Sequence, residues 1–367
     1  MAGPIRILTV NAGSSSLKLR VIGEHDELLA AEDPPRPTGS ARPALEASIR
    51  RLGPVEAVGH RIVHGGSRFR EPVRVDATVR AALEAMVDLA PLHQPASLAV
   101  LDAVAAALPG VPTVACFDTS FHATIPPAAA TYALPREWNE RWSLRRYGFH
   151  GLSHAYAARR ATELLGRPVR GTRIVVCHLG AGASLAAVLD GRSVDTTMGF
   201  TPLEGLVMAT RPGDVDPGLV LWLQQRAGLS AVELAGVLES RSGLLGLSGT
   251  ADMREVVARA AAGDPAAASA LEVYLHRLRA HIAAMVAALG GLDALVFTGG
   301  VGEHAPEVRA RAVAGLRWLG LRLDARRNRT AVGDVDLSHR GTDVRTLVVG
   351  AREDLEIARG VRSVLRE

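Results

Sequence analysis

Residues 173–191, RIVVCHLGAGASLAAVLDG, read as an apolar strand, a glycine-rich turn and a second apolar strand. The chain opens in the same way. In IRILTVNAGSSSLKLRVI (5–22) an apolar run ends at Asn11, a glycine-serine passage follows, and apolar character returns at Leu17. The two stretches align with Asn11 against His178, Gly13 against Gly180 and, after one inserted residue, Ser16-Leu17 against Ser184-Leu185. Two such hairpins, each at the head of one half, fit a duplicated α/β fold that grips phosphates.

Around these hairpins, strand-like runs alternate with helical spacing, as in 79–89 and 97–107, the pattern of α/β architecture. DPPRPTGSARP (33–43) has the prolines and glycine of a surface loop. VPTVACFD (111–118) reads as a buried strand ending at an aspartate. LDALVFTGGVGEHAPEVRARAVAGLRWLGL (292–321) reads as strand, glycine-rich turn and an amphipathic helix from about Pro306. DLEIARGVRSVL (354–365) has the spacing of a closing helix.

With 367 residues, 48% of them hydrophobic, the chain has core enough for two domains. The net charge of +4 is spread among acidic residues and aromatics are only 4%, which argues against a nucleic-acid surface. The longest apolar stretch, HIAAMVAALGGLDALVF (281–297), is interrupted by Gly290, Gly291 and Asp293, so no membrane span is expected. Strand-like IRILTV starts without a signal-peptide layout, and Cys116 and Cys177 sit in apolar runs as buried thiols. Both point to a reducing cytoplasm.

Several familiar sites are excluded. The sole lysine, Lys18, follows Leu17 rather than the glycine of a P-loop. GAGASL leads into a strand and not into a helix, so it is no dinucleotide fingerprint. The cysteines and histidines lack zinc spacing, and His60 and His64, read on one strand face with Arg61 between them, make a poor metal site.

What remains handles anions. NAGSSSLK (11–18) offers an amide, hydroxyls and one ammonium, although serines and glycines are also ordinary turn residues. Arg61 lies inside an apolar strand and Arg211 before a Pro-Gly turn. Each is a rim ion pair or an active-site guanidinium, whose planar fork matches phosphoryl and carboxylate oxygens. Asp118, at a strand end, and Glu353, before the last helix, are caps, ion-pair partners or carboxylates for Mg²⁺ bridged to phosphates. His150 stands between glycines. These parts read as a phosphotransferase without naming its substrate.

From end to end the chain resembles the acetate kinase family. The resemblance is carried by NAGSSSLK, GHRIVHGG, LAPLHQPASL, FDTSFHATIP, RRYGFHGLSH, CHLGAGASL, VDTTMGFTPLEGLVMATRPGDVDP, SGLLGLSG, DMR, FTGGVGEH and REDLEIAR. It implies the two-domain duplicated fold of the sugar kinase and actin-like superfamily, with ribonuclease H-like halves. The first domain is expected over 1–148, with the C-terminal helix 354–367 returning to it, and a nucleotide-binding second domain over 149–353. The implied reaction is reversible, direct in-line transfer of the ATP γ-phosphoryl group to acetate, giving acetyl phosphate and ADP. Mg²⁺ serves as cofactor, Mn²⁺ is a possible substitute, and a homodimer is implied. Propionate or butyrate kinase of the same family is an alternative, and a non-catalytic nucleotide-binding regulator is another.

Residue by residue, the resemblance places Asn11, Ser14, Ser16 and Lys18 at the phosphate-side motif. It makes Arg61 and Arg211 the arginines that hold acetate and the transferring group, and His150 the donor to that group. Asp118 is the carboxylate near acetate and metal. Glu353, with Asn11, is on the metal side, and His93 and His178 are supporting histidines. Val63, Leu92, Phe149 and Pro202 surround the acetate methyl. Gly180, Gly182, Asp252, Met253, Arg254, Gly300, Val301 and Gly302 lie on the nucleotide side. The chain departs from the family at Ala181, His304 and Arg352, each where asparagine is usual, and the departures bear on nucleotide choice.

Overall fold

The computed structural model describes residues 5–13, 17–35, 42–90 and 94–366. Ser14, Ser16, Leu92 and His93 lie outside the described residues, as does most of the 33–43 loop. The chain forms two compact units. One comprises residues 1–123, 149–156 and 352–367, and the other 124–148 and 157–351. The sequence places a division at 148/149; in the structure residues 124–148 pack with the second unit and 149–156 with the first.

The first unit is built on strands β1 (Ile7–Ala12), β2 (Leu17–Ile22), β3 (Leu28–Glu32), β4 (Ala57–Ile62), β5 (Val73–Arg74) and β6 (Thr113–Phe117). They form one six-stranded sheet in the order β3-β2-β1-β4-β6-β5. β1, β4 and β6 are parallel neighbours, β2 and β5 flank them antiparallel, and β3 pairs antiparallel with β2. Near-continuous apolar runs make the central strands, because both of their faces are covered. β2 alternates instead, with Leu17 and Leu19 inward and Lys18 exposed.

One cover is the helix Glu353–Leu365, which packs on β1, β4 and β6. It approaches closely at Gly59 in β4, where a Cβ would stand 2.5 Å from Ile357 Cγ2 and 2.6 Å from Val361 Cγ2. Only glycine leaves room for the helix there. The closing helix expected at 354–365 is thus present and belongs to the first unit.

The second unit repeats the plan with β7 (Arg173–Leu179), β8 (Ala183–Leu189), β9 (Arg192–Thr196), β10 (Ala294–Thr298), β11 (Val335–Asp336) and β12 (Arg345–Val348). Its order is β11-β12-β10-β7-β8-β9. Read in reverse, that is the first sheet strand for strand, with β7, β10 and β12 as parallel neighbours, β8 and β11 antiparallel to them, and β9 pairing antiparallel with β8. The helix Pro265–Leu289, started by Asp264 as N-cap and ended by left-handed Gly290, packs on β7, β8 and β9. The weak internal repeat in the sequence is therefore a duplicated fold.

Three readings are corrected. Asn11 pairs across its hairpin with Lys18, and His178 pairs with Ser184. The structural equivalent of Ser184 is thus Lys18 and not Ser16, because the extra residue lies in the first turn, where it leaves the strand registers intact. FTGGVGEH is not a turn before the helix at Pro306. Gly299–His304 is already helical, entered directly from β10 through Gly299 with φ of 78°. His60 lies in β4 while His64 lies beyond its end, so the two do not share a strand face.

Cys116 and Cys177 are free and buried in β6 and β7, and burial raises both thiols, that of Cys116 to about 12. Among the described residues no helix is long and apolar enough to cross a membrane.

Burial also pushes His60 down to about 3, against a weak pull from Asp102, and His122 to about 4, against its bond to the Phe149 carbonyl. Both imidazoles are therefore neutral in the folded unit and take up a proton near pH 6.5 once unfolded. Their contribution to stability is whole above about pH 6.5 and is lost as pH falls toward the folded values, by about 1.4 kcal/mol per pH unit for each group. Hydrogen exchange of the β4 amides should show protection falling between pH 6.5 and 5, with a shallower fall in His60→Leu. Equal slopes in the two proteins would refute the assignment for His60.

Candidate active site

In the first unit the candidate residues gather at the C-terminal ends of the parallel strands, the usual ligand-facing edge of such a sheet. Asn11 is near the end of β1, Arg61 near the end of β4, and Asp118 directly after β6, where its N–H donates to the Ile62 carbonyl at 3.0 Å. Glu353 opens the last helix.

Arg61 ties them together. Its Nε donates to Asp118 Oδ1 and Oδ2 at 2.9 and 3.1 Å, and its Nη2 to Oδ2 at 2.6 Å. Its Nη1 donates to Asn11 Oδ1 at 3.1 Å and lies 3.8 Å from Glu353 Oε2. Asn11 Nδ2 donates in turn to that Glu353 oxygen at 2.6 Å. The Asp118 side chain is 1% exposed, and those of Arg61 and Glu353 are 13% exposed each. Burial works against the Arg61 charge, but Asp118 and Glu353 outweigh it and hold the guanidinium above its ordinary value. Burial raises the Asp118 carboxyl while Arg61 pulls it back. Lys18, opposite Asn11 in register, is exposed on the neighbouring strand.

His150 has a left-handed backbone, φ 57°, where the helix Gly151–Leu165 begins. Its N–H bonds the Asp118 carboxylate, and the Gly151 N–H donates to the Asp118 carbonyl at 2.8 Å. A Cβ on Gly151 would lie 2.1 Å from that carbonyl oxygen, so glycine is required for the approach that seats His150 beside Asp118. Phe149 is buried, with its ring edge-on to His64 at 5.4 Å, and Val63 is buried nearby in sequence after β4.

The second unit holds the other arginine. Arg211 sits in a loop closed by bonds between Gly205 and Asp214: Asp214 N–H to the Gly205 carbonyl at 3.0 Å, and Gly205 N–H to Asp214 Oδ1 at 2.8 Å. Its Nη1 donates to the Pro202 carbonyl at 2.8 Å. Among the described residues no carboxylate stands within ion-pair distance of it, and burial lowers its pKa, with Glu239 opposing weakly. The preceding motif is anchored by Glu204, which accepts from Tyr132 Oη at 2.6 Å and pairs with Arg146. That anchoring pair, contributed by PLEG and RRYGFH, carries no sequence mark of its own.

A cavity of 440 Å³ opens in this unit, within the range of small-molecule sites. Gly180, Asp252, Met253, Arg254, Gly300 and Val301 line it. So do two of the three departures, Ala181 and His304, and Tyr274 of the long helix, which looks like an ordinary core residue in sequence. His178 and Gly182 belong to the β7–β8 hairpin without lining the cavity, and Gly302 packs against Phe297. Arg352, the third departure, lies in the first unit and binds Asp354 through Nη2 at 2.9 Å.

Paired sheets of one topology, each headed by a glycine-bearing hairpin, are the framework of the duplicated kinases. A ROK hexokinase from Thermus thermophilus shares the fold alone, with a TM-score of 0.50 at 15% identity over 99% of this chain and all of that one. The profile of the acetokinase family matches residues 44–359, and the chain belongs to that family. It is accordingly a kinase that transfers phosphate to a carboxylate, in a family that uses ATP and ADP.

An acetate kinase of Leifsonia xyli subsp. xyli is 48% identical over 96% of this chain and 97% of its own length. The crystal structure of Porphyromonas gingivalis acetate kinase matches with a TM-score of 0.90 and 34% identity, over 98% of this chain and 100% of that one. A propionate kinase from Francisella tularensis subsp. tularensis matches with a TM-score of 0.89 and 35% identity, over 97% and 98%.

The tight seat of His150 gives a direct test. Gly151→Ala should lower the denaturant midpoint of the first unit by the equivalent of about 1–3 kcal/mol, the usual cost of overpacking. An alanine variant of native stability would show that the approach to Asp118 can relax.

Proposed function

We propose that the protein catalyses reversible transfer of the ATP γ-phosphoryl group to acetate, giving acetyl phosphate and ADP. The observation that carries this reading is Arg211, a half-buried guanidinium whose bond is to a carbonyl and whose charge has no carboxylate partner among the described residues. A partly desolvated charge left in that state calls for an anion. Acetate is a carboxylate at neutral pH, so no general base is needed, and the barrier is repulsion between two anions. Arg61 and Arg211 are assigned to hold acetate and the transferring group. His150, seated by Gly151, is assigned to donate to the oxygens on which charge builds up, and Asp118 to fix the Arg61 fork.

Glu353 and the Asn11 amide oxygen offer hard donors suited to Mg²⁺, or Mn²⁺, which is held by few protein groups when phosphates and water complete its shell. When bound, the cation neutralises phosphate charge. Gly180, Asp252, Met253, Arg254, Gly300 and Val301 are assigned to the nucleotide, with His178, Gly182 and Gly302 shaping the same hairpin and helix. Lys18, Ser14, Ser16 and His93 are kept as phosphate-side groups, and Val63, Leu92, Phe149 and Pro202 as the acyl pocket. A cytoplasmic setting and a homodimer go with this reading. The helix Pro217–Ala227 leaves Leu219, Leu221 and Trp222 exposed, a patch suited to a second copy.

The test is ATP- and acetate-dependent acyl phosphate formation trapped with hydroxylamine. Arg211→Ala should cut kcat by about 10²–10³, the scale of one lost charge-stabilising donor, and Arg211→Lys should recover only part of it. Full activity in the lysine variant would remove Arg211 from the proposed role.

Propionate is a second reading, favoured by the propionate kinase that matches as well as the acetate kinase does. The buried valine at 63 argues for the shorter acid. We expect kcat/KM to favour acetate over propionate by about 10-fold or more, the discrimination one methylene supplies, with a smaller ratio in Val63→Ala. A native preference for propionate or butyrate would overturn the acetate reading. An unmoved ratio in Val63→Ala would remove Val63 from the pocket.

A further inference from the structure

The second unit contains a cavity that the proposed reaction does not use. It measures 820 Å³ and lies between the helix Pro306–Ala314, the turn Arg317–Leu319 and the helix Ala325–Arg329. Its lining carries Arg311, Arg317, Arg322 and Arg329 against one carboxylate, Glu307. Arg311 is committed, paired with Glu272 and 4.0 Å from Glu307. Arg317, Arg322 and Arg329 have no carboxylate within ion-pair distance among the described residues. The nearby Asp324 carboxylate is taken up as a helix cap by the Arg327 N–H at 2.9 Å.

The floor is rigid. Asn328, 3% exposed, accepts from Arg309 Nε at 2.8 Å through Oδ1 and from Nη2 at 2.8 Å through its carbonyl. Asn328 Nδ2 donates to the Pro306 carbonyl at 2.8 Å, and Arg309 Nη1 to the Gly302 and Glu303 carbonyls at 2.8 and 2.7 Å. Val313 and Leu323 add apolar surface to the same lining.

We propose that this cavity binds a small organic phosphate ester, its phosphate held by the Arg317, Arg322 and Arg329 forks and its carbon body against Val313 and Leu323. Guanidinium forks match phosphate oxygens in pairs. The three arginines are exposed at the rim of an open groove; the apolar side chains in its lining favour an ester over inorganic phosphate, and its short, fixed floor suits one small molecule better than a continuous nucleic-acid backbone.

Phenyl phosphate is the probe, titrated calorimetrically into the full chain with excess ADP present, and compared with inorganic phosphate and an RNA homopolymer. The native protein should bind phenyl phosphate with a Kd of about 1 mM or tighter, an affinity reachable by a few charge-assisted bonds. The paired charge reversal Arg322→Glu with Arg329→Glu should weaken it at least about tenfold, the effect of losing one or more charge-assisted bonds. Ala310→Trp, which fills the cavity and keeps every arginine, should weaken it equally, with thermal unfolding unchanged in both variants. The proposal is overturned by equal binding in native and variant proteins, or by loss in the charge reversal with retention in Ala310→Trp. It is also overturned by tighter binding of inorganic phosphate or RNA than of phenyl phosphate. The readout is binding at these arginines, so it stands or falls separately from the acyl phosphate assay.

Discussion

One buried charge organises the first unit. The Arg61 guanidinium reaches Asp118 after β6, Asn11 in β1 and Glu353 at the head of the last helix, so a single side chain spans three strand ends and a helix start. Its removal would leave Asp118 desolvated and unpaired, which costs about 3–5 kcal/mol where it has been measured for buried pairs. The same contacts leave the guanidinium charged and fixed in plane. Strength of pairing and readiness to meet an anion therefore come from one arrangement.

The second unit uses the same sheet for a different end. Its hairpin carries His178 where the first carries Asn11, and its strand ends adjoin a cavity rather than a charge cluster. Arg211 has no counterpart to Asp118 there; its partner is a backbone carbonyl, and a loop pinned by Asp214 holds it. His281, on the long helix, braces that pin at 3.0 Å. Duplication supplied two equivalent frameworks, and their chemistry diverged at the strand ends.

The sheets are legible in the sequence because they are buried. Apolar runs such as ILTV, VVC and ALVF are too short for a helix and too apolar for a surface loop, and the hairpin repeat is visible in Gly13 and Gly180. The register is not legible. Sequence similarity aligns the serines, whereas hydrogen bonding aligns Lys18 with Ser184, because a turn can absorb a residue without disturbing a strand. GGVGEH reads as a turn on its glycines, yet only Gly299 needs a positive φ and the rest is helix. The site residues come largely from family resemblance, whereas their partnerships appear only in the folded chain. Arg61 and Asp118 are 57 positions apart, Asn11 and Glu353 are 342 apart, and local pattern carries no information over such spans.

That last separation has a consequence for how the molecule comes into being. The helix Glu353–Leu365 covers β1, β4 and β6, and Glu353 completes the polar cluster at their ends. Strands made among the first 117 residues therefore emerge from the ribosome with one face bare and their cluster lacking a carboxylate. They stay so through synthesis of nearly all of the second unit, whose sheet and long helix lie within 157–351. At the pace of translation, about 5–20 residues per second, the wait lasts tens of seconds. The second unit has its parts in hand first, and the half that carries Arg61 is sealed by the last segment of this fold to leave the exit tunnel.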